Sequence, residues 1–222
     1  MATQLDLQEQ EQIDALKAFW KQYGNLLTWT LTLALAVFAA WNGWNWYQRD
    51  QALKASVMYD EVDKSIQQGD VDKAGRLFGE LRERYPRTLF VSQAALSLAR
   101  LQIDKGKADD ARATLGWVSE NAREDDYRAV AQLRLAGLHL DAQRYDEALR
   151  ALDAATVASF EPLVADRRGD VLLAQGKRAE AIAAYQAAWK GLPESVEYRR
   201  LVEAKLTSLA AAPDKAASGA AP

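Results

Sequence analysis

The chain has 222 residues, 49% of them apolar and 27% charged, with 28 basic against 31 acidic side chains. A net charge of −3 leaves no electrostatic footprint for nucleic acid. With no cysteine and one histidine, His139, the composition excludes disulfides, thiol nucleophiles, iron–sulfur clusters and multi-histidine metal sites.

Residues 1–25 read as an N-terminal tail that leads into an uncharged stretch. Ile13, Leu16, Phe19, Trp20 and Tyr23 recur at helical spacing, which suits either a short interfacial helix or an ordinary helical lead-in. Between Lys21 and Arg49 there is no charged residue, and five of the seven tryptophans lie in the first 46 positions. A span over 26–46 measures about 31 Å as a helix, matching a hydrocarbon core of roughly 30 Å. Thr28, Thr30 and Thr32 are tolerable in lipid, because a helical hydroxyl can bond the carbonyl one turn back.

Trp20 and Tyr23 at one end, and Trp41, Trp44, Trp46 and Tyr47 at the other, have the amphipathic rings that settle at headgroup level. Two competing readings are weaker. A signal peptide wants a basic start, whereas residues 1–21 carry Asp6, Glu9, Glu11 and Asp14 against Lys17 and Lys21. A core helix seldom runs this long without a charge. Lys17 and Lys21 face Arg49 and Lys54 across the span, so charge bias leaves orientation open.

Residues 49–211 repeat a helix–turn–helix phrase. Gly69-Asp-Val-Asp-Lys-Ala74, Gly106-Lys-Ala-Asp-Asp-Ala111, Gln143-Arg-Tyr-Asp-Glu-Ala148 and Gly176-Lys-Arg-Ala-Glu-Ala181 align in phase. Their spacing is close to the ~34-residue period of two-helix units, the first two intervals being slightly longer. The last unit has Gly169, Leu172, Gly176, Ala181, Tyr185, Ala188 and Pro193, and resembles the tetratricopeptide signature. Small residues sit where helices cross, and glycine ends the first helix of each unit in a left-handed conformation. Gln143 departs from the turn glycine, and no unit has the signature's early tryptophan. The expected fold is all-α: one transmembrane helix, about four repeats, and a capping helix over 194–211. Residues 212–222 are too poor in large apolar side chains to fold, and read as a disordered tail.

Enzymatic motifs are missing: no Walker loop, Gly-x-Gly-x-x-Gly, Gly-x-Ser-x-Gly or His-Glu-x-x-His occurs. Acid pairs such as Asp109–Asp110 and Asp146–Glu147 fall where helices begin, where they favour the dipole's positive end. His139 is expected to pack, with no second ligand near it in sequence. No cofactor is implied.

Projecting the groove-facing offsets of such solenoids selects Tyr59, Ile66, Leu96, Arg100, Ile103, Val130, Leu133, Leu140, Leu163 and Leu173, with Asp63, Asp166 and Asp170 beside them. Leu96, Leu133, Asp166 and Gly137 stand where carboxylate-gripping repeats place lysine and asparagine, which argues against that use. An apolar groove suits a hydrophobic or unfolded segment or a partner's helix. The competing reading turns the same leucines toward neighbouring helices.

The phrase Gln12-Ile-Asp-Ala-Leu-Lys-Ala-Phe-Trp-Lys-Gln-Tyr-Gly24, one anchor and then degenerate repeats together resemble the YfgM-like ancillary subunits of the bacterial Sec translocon. That resemblance implies an inner-membrane protein with a cytoplasmic N-terminus and periplasmic repeats. It also implies partners: SecYEG, the membrane-anchored periplasmic chaperone PpiD, and unfolded exported polypeptides. The alternative is a repeat scaffold that organises an envelope assembly or cell-division complex.

Overall fold

The computed structural model describes residues 7–211, with side chains from residue 10 onward. The expected tail at 212–222 and the first six residues lie outside the described residues. Among the described residues the secondary structure is helical, with no strand. The chain divides into two compact units, Met1–Gln51 and Ala52–Pro222.

The first unit is formed by most of helix α1, which runs Leu7–Gln67. Its apolar side chains stay exposed all round, including Trp29 at 70%, Leu33 at 66% and Phe38 at 66%. A soluble protein buries such a helix, so this exposure removes the core-helix reading. The three threonines donate back along the helix, Thr28 to the Gly24 carbonyl at 2.7 Å, and Thr30 and Thr32 to Leu26 and Thr28 at 2.8 Å. No hydroxyl is left for lipid to strand.

The second unit starts with the last turns of α1, residues 52–67, which form the first helix of repeat one. No linker interrupts the helix at residues 47–48, where the sequence suggested a boundary between span and repeats. The partner helix is α2, Val71–Arg84. Repeat two pairs α3, Leu89–Asp104, with α4, Ala108–Asn121. Repeat three pairs α5, Asp125–Asp141, with α6, Tyr145–Ala154. A 3-10 turn, Ala158–Phe160, leads into α7, Glu161–Ala174, which pairs with α8, Arg178–Gly191, as repeat four. The last helix, α9, covers Tyr198–Ser208 and is shorter than the stretch from Glu194 suggested by sequence. Residues 194–197 instead form turns, with Glu194 held by Arg199 at 3.2 Å.

Each turn uses the same paired closure. Gly69 and Asp70 donate to the Ile66 and Ser65 carbonyls, and Gly106 and Lys107 to Ile103 and Gln102. Gln143 and Arg144 donate to Leu140 and His139, and Gly176 and Lys177 to Leu173 and Leu172. These are Schellman caps, which satisfy orphan carbonyls by placing one residue at positive φ. Gly69, Gly106 and Gly176 sit at φ 72–78°, and Gln143 adopts 57° despite its Cβ. The hydrogen-bond pattern of the cap therefore overrides the residue preference in repeat three.

The core consists of two buried clusters, one from Ala55 to Val171 and one from Leu172 to Leu209. Phase alanines Ala74, Ala111, Ala148 and Ala181 are fully buried, as are Leu81, Leu115 and Val118. Burying each leucine contributes roughly 2 kcal/mol. Gly169 and Tyr185 form a matched pair, because a Cβ on Gly169 would stand 2.5 Å from the tyrosine ring.

Candidate functional site

The candidate groove follows the first helices of the repeats. Tyr59, Ile66, Leu96, Leu133 and Leu140 are half-buried and pack against the core. Tyr59 lies beside Phe90, with ring centroids 5.6 Å apart, and burial followed by Asp63 and Asp60 pushes its hydroxyl pKa up. Val130 and Leu163 are also half-buried. Only Ile103 and Leu173 present large exposed apolar surface, at 39% and 38%. Both occupy the last turn before their repeat's cap. Much of the projected apolar lining is thus half-buried, and its exposed points are Ile103, Leu173 and the polar Arg100.

Arginines add to that lining. Arg100 is exposed and approaches Asp104 at 4.0 Å. Arg134, which sequence projection did not select, donates across from α5 to the Leu96 carbonyl on α3 at 2.8 Å. Burial and then the Arg100 charge lower its pKa. Its signal was absent because its partner is a backbone carbonyl that the sequence does not display.

At repeat four the acidic part of the lining is covered by α9. Asp166 is 1% exposed; Lys205 of α9 reaches its Oδ2 at 2.8 Å and Asp170 Oδ1 at 2.7 Å. The Tyr198 hydroxyl donates to Asp166 at 2.6 Å and the Tyr185 hydroxyl to Asp170 at 2.8 Å. Burial, reinforced by these carboxylates, raises both tyrosine pKa values. Asp166 and Asp170 therefore do not line an open groove; they hold the capping helix. Lys205 was missed because a lysine in an amphipathic helix reads as solvated.

His139 is half-buried in the last turn of α5, with Nδ1 unpartnered and its pKa lowered chiefly by burial. Among the described residues no cluster of three or more metal-ligating side chains occurs. The acid pairs Asp109–Asp110, Asp125–Asp126 and Asp146–Glu147 occupy first helical turns.

The aromatics expected at a membrane interface are exposed on α1: Trp20 at 62%, Trp41 at 67%, Trp44 at 56% and Trp46 at 70%. Tyr23 packs on Phe19 with centroids 5.1 Å apart, and Tyr47 on Trp44 at 6.2 Å. The helix is long and apolar enough to cross a membrane.

These features define a tetratricopeptide-type repeat protein carrying an exposed apolar N-terminal helix. A tetratricopeptide repeat-like domain profile matches residues 17–211. A protein from Neisseria gonorrhoeae described as "Ancillary SecYEG translocon subunit" is 32% identical over 207 residues, covering 91% of this chain and 98% of its own length. One of the same description from Escherichia coli is 29% identical over 185 residues, covering 82% and 87%. The chain belongs to the ancillary SecYEG translocon subunit family, with its tetratricopeptide repeat-like domain. Among solved structures, residues 41–end of MamA from Desulfovibrio magneticus align with TM-score 0.52 at 16% identity. That alignment covers 71% of this chain and 86% of the other, and shows the shared fold.

Proposed function

We propose that this chain is a non-catalytic, membrane-anchored binding module that associates with the Sec translocon and assists newly exported polypeptides. One observation carries the reading: a chain whose relatives are ancillary SecYEG translocon subunits exposes an apolar helix long enough to span a bilayer. The anchor would confine the repeats near the translocon exit and raise their effective concentration there. The repeats would face the periplasm, with the N-terminus in the cytoplasm. The partners would be SecYEG, a membrane-anchored periplasmic chaperone of the PpiD type, and unfolded exported chains.

Contact with exported chains would fall on the first-helix face, where Ile103 and Leu173 are the open apolar points and Arg100 supplies charge. Tyr59, Ile66, Leu96, Val130, Leu133, Leu140 and Leu163 would support that face rather than touch a client. The cysteine-free sequence makes a clean topology test. Ala187 is exposed on α8, so Ala187→Cys reports the side on which the repeats lie. Labelling by a membrane-impermeant maleimide in outer-membrane-permeabilised cells is the expected result. Labelling only after inner-membrane lysis would place the repeats in the cytoplasm and overturn the reading.

A further inference from the structure

Repeat one differs from the others at the position after its phase alanine. Repeats two, three and four place Arg112, Leu149 and Ile182 there. Leu149 and Ile182 pack against their own cores, and the Arg112 side chain is only 18% exposed. Repeat one has Gly75, and a Cβ built on it meets nothing within 4 Å. Gly79, one turn on, is equally open. The missing side chain leaves a cleft of about 190 Å³ among α2, α3 and α4, the size of one side chain rather than of a larger ligand.

The cleft is chemically furnished. Phe78 and Leu98 form apolar walls. Gln102 lines it and is 7% exposed; its Oε1 accepts from Thr114 at 2.9 Å, and its amide nitrogen has no partner among the described residues. That nitrogen still reaches solvent, so an acceptor entering the cleft takes the place of water on it. Arg82 adds the one charge in the lining. Its guanidinium is 5.7 Å from the Phe78 ring and 5.8 Å from Trp117, held in place by the aromatic faces with its N–H edge available.

We propose that this cleft binds a glutamate side chain presented by a partner polypeptide. The methylenes lie against Phe78 and Leu98 in the space that Gly75 and Gly79 leave. The carboxylate accepts from the Gln102 amide and pairs with Arg82. The site lies outside the first-helix face and does not depend on it.

The test uses the full chain in detergent micelles, observed by NMR at the Gln102 side-chain amide and the Gly75 and Gly79 backbone amides. The probes are N-acetyl-glutamate N-methylamide and its glutamine counterpart. Saturable shifts with the glutamate probe are expected, and about tenfold weaker binding of the glutamine probe, because charge-assisted hydrogen bonds are the stronger kind. Gly75→Leu, which restores the bulk found in repeat three, is expected to abolish the shifts. Arg82→Gln is expected to remove the preference for glutamate, and it carries the test should Gly75→Leu fail to fold. Equal binding of the two probes, no shift at these amides, shifts that survive in a folded Gly75→Leu, or a glutamate preference that survives Arg82→Gln would each overturn the proposal.

Discussion

The contact between Gly169 and Tyr185 makes a quantitative claim about how repeat four departs from its neighbours. At the matching position of α5, repeat three has Ala136, and its α6 supplies Leu152 where repeat four has Tyr185. In repeat four a new methyl at 169 would lie 2.5–2.9 Å from three ring atoms of a side chain that is 1% exposed. The ring would have to shift, at a cost of about 1–3 kcal/mol for overpacking. Displacement would also strain the 2.8 Å bond from its hydroxyl to Asp170, a charged acceptor, costing roughly 1 kcal/mol more. Alanine returns about 1 kcal/mol of helix propensity. Gly169→Ala should therefore destabilise by about 2 kcal/mol.

In a Tyr185→Leu background the obstruction is gone and only the propensity gain remains. There Gly169→Ala should stabilise by about 0.5–1 kcal/mol, giving a coupling of roughly 2.5–3 kcal/mol between the two positions. Urea titration of residues 52–222 by far-ultraviolet circular dichroism measures all four corners of the cycle. A Gly169→Ala effect of the same sign and size in both backgrounds would refute the reasoning, because the glycine would then answer to backbone freedom and not to the ring.

Other consequences follow from the caps and the capping helix. Gln143→Gly should stabilise the repeats by about 0.5–1 kcal/mol, since glycine adopts φ 57° without the Cβ penalty; a lower urea midpoint would contradict this. Lys205→Met should cost about 3 kcal/mol by leaving Asp166 buried without its cation, as a thermal melt would show. Tyr185 and Tyr198 have raised pKa values in the folded chain, so their contribution is intact below about pH 10, the unfolded value, and is lost above it. For Tyr185 the loss is about 1.4 kcal/mol per pH unit above 10. Tyrosinate absorbance from these two rings should appear together with unfolding, and ionisation well before it would contradict the buried network.

Particular residues show what the sequence could and could not display. The four phase alanines and the turn glycines fix local geometry by themselves, so the repeats and even the odd turn at Gln143 were legible. The long apolar helix was legible because so long an uncharged stretch is rare in a protein core. The state of the groove was not. Whether Leu96 or Leu133 faces a ligand or a neighbouring helix depends on side chains about 37 positions away, which no offset within one repeat encodes. Asp166 looked like an open polar position until Lys205 and Tyr198 closed over it. Gly75 carries no motif of its own, and its equivalence to Leu149 and Ile182 in the folded repeats exposes the cleft it leaves.

The central claim, association with the translocon through an anchored repeat domain, is tested most directly by affinity purification from solubilised inner membranes. The tagged full chain is compared with tagged residues 52–222, which omit the apolar unit. The account predicts that the full chain recovers SecYEG and that the truncated chain, still folded, recovers much less. Failure of the full chain to recover SecYEG, or equal recovery by both, would contradict it.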